Sequence, residues 1–339
     1  MAKSVIDEFK QIYQDLKNKV YHPVYLFHGE ESFFIDKLVE VIENTVLNEM
    51  EKEFNLDILY GKDVSPQQVI STAKRYPMAA NHHVVIIREA QSMQKLNDLT
   101  SYVNDPLKST LLVLVHKHKS IDGRKSLGKS VRKNGVLFQS KKLYDNQIPN
   151  WINTYLSNRN YSITPKASIM VTEYVGNDLS KIANELDKIM ISLGKETQEI
   201  TEQHIEQNIG ISKDYNIFEL QNAIGSQNTP RAYLIADYFS KNEKSFPLLR
   251  ITSNLYFYFT KLMLIHKSKS KTPNDLSQVI GLHPFLVKEY ISASRNYSFG
   301  KLAEIIHILK TYDLKSKGIE NSSTSDGELL KEMVFKIMN

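Results

Sequence analysis

Over the first part of the chain, short runs of β-branched and leucine residues alternate with amphipathic segments. Val5, Phe9, Ile12, Tyr13 and Leu16 recur at helical spacing and predict a helix over residues 1–20. A strand is expected over 24–28 and a helix over about 31–50. Phe54 to Tyr60 alternates as a strand does, and a turn at Gly61-Lys62-Asp63 follows. Ser65 fits an N-cap with Pro66 in the first helical position, which starts a helix running to about Arg75. Val84–Ile87 and Leu111–Val115 are continuous apolar runs of the kind a sheet covered on both faces requires, and Val136-Leu137-Phe138 is a further strand. Strand and helix alternating to about residue 140 predict a parallel α/β sheet.

From about residue 145 the pattern turns helical, with few strand signals. Ile148 to Ile152 opens one helix. Leu179, Ile182, Leu186 and Ile189 line one face of another, and Thr201 caps a third. Gly210 to Asp214 is expected as a linker. Four or five amphipathic helices are expected over 215–338, with Lys267 to Pro273 as a solvated loop between two of them. The aromatic run Leu255 to Phe259 is expected to pack in the core rather than to stack on bases.

Composition narrows the function classes. The chain has 339 residues, 41% hydrophobic and 24% charged, as in an ordinary globular protein with room for two or three domains. No apolar run is long enough to span a membrane, and the first residues carry no signal-type apolar core, so a cytoplasmic location is expected. Zero cysteine excludes disulfides, thiolate metal sites and a Cys nucleophile. His82-His83 and His116/His118 lack Asp, Glu or Cys partners at ligand spacing, so no metal is expected. No Gly-x-Ser-x-Gly elbow is present.

The junction His28-Gly29-Glu30-Glu31-Ser32 lies where a P-loop NTPase places its phosphate cradle. Such a cradle needs glycines, a Lys and a Ser/Thr. One Gly is present, no Gly-Lys-Ser/Thr follows, and Glu30 and Glu31 would repel a triphosphate. The strand Val84–Ile87 ends in Arg88-Glu89, and an Arg is electrostatically wrong for a magnesium site; these two are otherwise exposed strand-end charges. No nucleotide cofactor is expected.

Two further segments each carry two readings. In Tyr76-Pro77-Met78-Ala79, Pro77 stiffens a tip on which Met78 either anchors a partner or closes the domain's own core. Between residues 116 and 142, Lys117, Lys119, Arg124, Lys125, Lys129, Arg132, Lys133, Lys141 and Lys142 face a single acid, Asp122. That run is either a phosphate-binding surface or a solvated helix face. The net charge of +5 permits contact with nucleic acid without requiring it.

Taken in order, Pro23 to Asp36, Tyr76-Pro77-Met78-Ala79 before Val84–Ile87, Pro106-Leu107 ahead of Leu111–Val115, Gly176 to Leu179 and Glu185 to Ile189 resemble the delta subunit family of the bacterial DNA polymerase III clamp loader, in a variant similar to the Bacteroidetes type. The resemblance covers essentially the whole chain. It implies α/β plus all-α architecture: an AAA+-like parallel-sheet domain over 1–142, a helical lid over 143–211 and a helical collar over 212–339. It further implies a non-hydrolysing subunit that binds and opens the beta sliding clamp, beside tau/gamma motor subunits, a delta prime subunit and primed DNA. In that family the clamp contact is a Leu-Phe-like pair; the matching positions here are Pro77 and Met78, flanked by Tyr76 and Ala79. An active AAA+ ATPase or helicase loader, and a non-enzymatic DNA-binding adaptor, are the competing functions. The delta prime subunit itself is disfavoured by the absence of zinc-binding cysteines.

Overall fold

The computed structural model describes residues 4–144, 147–194, 198–210, 214–269, 272–282, 284–321 and 323–339. It divides into one unit of Met1–Leu143 with Asp178–Ser180, and another of Tyr144–Asn177 with Lys181–Asn339.

The first unit begins with α1 (Val5–Lys17), β1 (Val24–Gly29), α2 (Ser32–Thr45), α3 (Glu49–Asn55), β2 (Leu56–Tyr60), α4 (Pro66–Ala73) and β3 (His83–Arg88). Two short 3-10 turns, α5 (Thr100–Asn104), β4 (Thr110–Lys117), α6 (Ser126–Asn134) and β5 (Val136–Ser140) complete it. The five strands form one parallel sheet in the order β2-β3-β4-β1-β5. In β1, β3 and β4 nearly every residue is buried, because helices cover both faces and leave no polar side to alternate with. Val24, Leu26, Val85, Ile87, Leu112 and Leu114 share one core with α4, α5 and α6. On the alternate positions the Tyr25 ring packs on Phe27 and Phe27 in turn on Phe138, while Phe9 of α1 packs on Phe34 of α2.

The expected α/β plus all-α class, with a parallel-sheet domain followed by helices, is observed, with local corrections. The helix expected over 31–50 is two helices. Asn48 restarts the chain as α3 through a capping box with Glu51, in which each residue satisfies the other's backbone N–H. That helix runs through Asn55, so the strand expected from Phe54 begins at Leu56. The N-terminal helix ends at Lys17, and Lys19 is left-handed (φ 61°). The helix expected to reach Arg75 ends at Ala73.

The second unit contains α7 (Ile148–Ser157), β6 (Ser162–Ile163), α8 (Pro165–Val175), α9 (Leu179–Leu193, its first turn grouped with the first unit), β7 (Glu199–Ile200) and α10 (Glu202–Ile209). The two-residue parallel pair β6–β7 was not expected; it is too short to show a period. Next come α11 (Ile217–Gly225), α12 (Thr229–Lys241), α13 (Leu248–Lys267), α14 (Pro273–Ile280), α15 (Pro284–Arg295), α16 (Phe299–Ser316) and α17 (Asp326–Met338). These are seven helices among the described residues rather than four or five, because α14 and α11 are single short segments with their own caps, Thr272 and Asn216. They bury one core around α13, to which Leu255, Tyr258 and Phe259 contribute. Tyr256 and Phe257 of the same run are instead exposed on the outer side of α13. Of the expected linker and loop, Ile211 to Lys213 and Ser270 to Lys271 lie outside the described residues.

Candidate functional site

Only Glu30 and Glu31 connect β1 to α2, so the junction is far shorter than a loop that wraps a phosphate. Gly29 sits at φ 134°, pressed on β5: a Cβ there would lie 1.9 Å from the Ser140 carbonyl oxygen. Ser140 Oγ donates to the Glu31 carbonyl at 2.6 Å, and the Glu31 N–H donates to the Ser140 carbonyl at 3.3 Å. The Glu31 carboxylate then turns inward and accepts the Phe33 N–H at 3.0 Å. It takes one of the free amides that an external anion uses at a helix N-terminus. Glu31 is buried, and that burial raises its pKa; Glu30 is exposed and Ser32 half-buried.

His28 lies beneath this junction, 2% exposed. Its Nδ1 accepts the Ile121 N–H at 3.1 Å. Burial, with smaller contributions from His116 and Arg132, lowers its pKa from 6.5 to about 4. A lowered histidine pKa means that the folded state binds fewer protons than the unfolded chain at acid pH. The stability it contributes is present at neutral pH and is lost as pH falls from 6.5 to about 4, on the order of 3 kcal/mol. Glu31 has the opposite sign: its raised value favours the fold at low pH, and that gain is lost as pH rises. His28→Gln is expected to flatten the acid limb of stability between pH 6.5 and 4, and Glu31→Gln to steepen it, in urea titrations run at several pH values.

At the end of β3, Arg88 does not stand free. Its Nη2 donates to Glu43 of α2 at 2.8 Å, and that bond raises the guanidinium pKa further. Glu89 is exposed, with left-handed backbone (φ 52°). The histidines are engaged locally. His83 Nε2 lies 2.7 Å from Asp57, the His116 ring bonds the Lys119 carbonyl at 2.9 Å, and His82 meets the Tyr21 ring edge-on.

The Tyr76–Ala79 segment projects between α4 and β3. Met78 is 62% exposed and Tyr76 76%, so the alternative in which Met78 fills the core is not what the fold does. Pro77 is half-buried and Ala79 exposed. The backbone of Met78 is nonetheless fixed: its N–H donates to Asn55 Oδ1 at 2.7 Å, and its carbonyl accepts from Asn55 Nδ2 at 2.9 Å. Asn55 ends α3, whose Met50 and Phe54, four residues apart, are also exposed. Sequence reading missed Asn55, because it lay inside an expected strand; the Asn48-x-x-Glu51 cap just upstream was the available signal.

The basic run is only partly a free surface. Lys117 pairs with Asp36 of α2, and Arg124 folds back on Asp122 at 3.0 Å. Arg132 donates to the Gly123 carbonyl at 3.2 Å. Lys119, Lys125, Lys129, Arg132 and Lys133 are exposed, and Lys129, Arg132 and Lys133 point outward from α6 while Leu127 and Val131 point into the core.

Against known proteins, a family model described as the DNA polymerase III delta subunit matches residues 25–141, and a model for the C-terminal domain of the same delta subunit matches residues 214–335. The chain belongs to the DNA polymerase III delta subunit family. The DNA polymerase III subunit delta of Bacillus subtilis (strain 168) is 25% identical over 336 residues, covering 95% of this chain and 94% of that protein. The solved Bacillus subtilis DNA clamp loader delta protein superimposes with a TM-score of 0.53 at 22% identity, covering 97% of this chain and 99% of the other. The two matched segments therefore cover the sheet of the first unit with Gly29 and the Met78 segment, and, in the second unit, the helices from α11 into α17. Among the described residues no helix is long and apolar enough to cross a membrane, and no group of three or more His, Cys, Asp or Glu could hold a metal ion.

Proposed function

We propose that this chain is the clamp-opening subunit of a DNA polymerase III clamp loader, working at the replication fork in the cytoplasm. In this reading the Tyr76–Ala79 tip inserts Met78 into the beta sliding clamp and favours the sprung ring, because a plug that fits the opened interface better shifts the ring toward opening. The single observation that carries the reading is the exposed Met78 side chain on an immobilised backbone, in a chain of the delta subunit family. The Glu31 carboxylate on α2's own N–H and the Arg88–Glu43 pair support a subunit that does not hydrolyse ATP itself and leaves that step to tau/gamma motor subunits.

The three-domain division belongs to the same proposal: 1–142 meets the clamp, 143–211 is the lid, and 212–339 joins the collar with the motor and delta prime subunits. Exposed Tyr256 and Phe257 on α13 offer apolar surface for that collar. Lys119, Lys125, Lys129, Arg132 and Lys133 face primed DNA, while Lys117 and Arg124, engaged with Asp36 and Asp122, contribute less.

The test uses the purified full-length chain, the sliding clamp of the same organism, and a fluorophore pair placed across one clamp interface. Addition of the chain alone, without nucleotide, is expected to separate the pair, and the isolated chain is expected to show no MgATP turnover. A ring that stays closed at saturating chain, or steady hydrolysis by the chain alone, defeats the proposal.

A further inference from the structure

The tip is tied down by two residues that sequence reading passed over. Asn55 is 1% exposed and uses its carboxamide in both senses on one residue, accepting from the Met78 N–H and donating to the Met78 carbonyl. The same Nδ2 donates to the Glu51 carbonyl at 2.9 Å, which seats Asn55 on α3. Two residues on, Asp57 of β2 accepts from His83 Nε2 at 2.7 Å and faces Arg75 Nη1 at 3.6 Å. Arg75 stands just before Tyr76, and His83 opens β3. One carboxylate therefore holds both ends of the tip, and one amide holds its middle. Ala79 is kept at φ 52°, a left-handed conformation that a Cβ disfavours and that glycine adopts freely.

We propose that Asn55 and Asp57 are positioning residues for the Met78 contact, holding the tip in its binding conformation before the partner arrives. The inference rests on the reading of the tip as the clamp-contacting element. A short exposed segment without such ties samples many conformers, and ordering it on contact weakens binding. Apparent affinity falls with the fraction of molecules that are competent, so a tip correctly placed one-tenth of the time binds about tenfold more weakly. A carboxamide suits this task because it carries a donor and an acceptor side by side. Asp keeps only the acceptor, and Ala keeps neither.

The experiment measures the affinity of the full-length chain for the purified sliding clamp of its organism, together with amide exchange at Met78 in the free chain. Asn55→Ala is expected to speed Met78 exchange and weaken capture about tenfold, with Asn55→Asp intermediate and Asp57→Asn in the same direction. In a Met78→Ala background Asn55→Ala is expected to change affinity by no more than about twofold, since no plug remains to be placed. Ala79→Gly serves where Asn55→Ala fails to fold: it relieves the left-handed strain, so stability holds or rises while capture weakens. Equal losses from Asn55→Ala in both backgrounds would assign Asn55 a merely structural role and overturn the proposal. Unchanged exchange and affinity in Asn55→Ala and Ala79→Gly would overturn it as well. If Met78→Ala alone leaves capture intact, the clamp-contact reading fails first, and positioning for that contact falls with it; faster exchange in Asn55→Ala would then mark a rigid tip with another purpose.

Discussion

Met78→Ala is expected to weaken capture of the sliding clamp by one to two orders of magnitude while leaving the fold intact. The loss follows from burying one methionine side chain at an interface, which stabilises by roughly 1.5–3 kcal/mol. In the free chain that side chain is already exposed to water, so truncating it opens no cavity. Substitutions of this kind change folding stability by about 0.5 kcal/mol at most. Met78→Asp is expected to abolish capture, because a carboxylate would be desolvated in an apolar pocket without a partner. Pro77→Ala is expected to act more mildly, by about 0.4–1 kcal/mol, through the freedom it returns to the unbound tip. Surface plasmon resonance on immobilised clamp, with circular dichroism melts as control, separates these outcomes. Capture by Met78→Ala that matches wild type would remove the plug while leaving family membership untouched.

Gly29→Ala is expected to be the most damaging single-methyl change in the first unit. The added Cβ would stand 1.9 Å from the Ser140 carbonyl oxygen and 2.7 Å from its carbon, and neither atom belongs to a side chain that can swing away. Relief requires β1 and β5 to part at Gly29↔Ser140, which breaks the Ser140–Glu31 hydrogen bonds as well. We expect a loss of about 4 kcal/mol or more, at the diagnostic end of point-mutation effects. Gly210→Ala is the matched control. Its φ is also positive, 77°, but nothing lies within 4 Å of the added atom, so only the dihedral cost of about 1–2 kcal/mol applies. Urea denaturation followed by far-ultraviolet circular dichroism would compare them. Equal losses at the two positions would show that close approach to Ser140 is not what demands glycine at 29.

The sheet was legible because its central strands are covered on both sides. Val84–Ile87 and Leu111–Val115 stand out as apolar runs whatever their neighbours do. Helix existence was legible from spacing, but subdivision was not. The break at Val46–Asn48 carries neither Pro nor Gly, and only the reciprocal Asn48–Glu51 cap marks it. The phosphate junction could be read as altered from Glu30 and Glu31, but not that Glu31 turns its carboxylate onto its own helix, which depends on Ser140 more than a hundred residues away. Met78 was ambiguous because methionine is common in cores. Its exposure is decided by Asn55, a contact between residues 23 apart that no local period encodes.

The strand order has a cost during synthesis. β1 lies between β4 and β5, so Val24 finds its partner only at Leu112 and Tyr25 its other one at Val136. While the ribosome makes the intervening chain, Val24-Tyr25-Leu26-Phe27 has no neighbour to pair with. An early apolar strand awaiting late partners is slow to settle and prone to stick to other nascent chains. The lysines and glutamates of α1 and α3, emerging on either side of it, supply the charge that keeps such an intermediate in solution until the sheet can close.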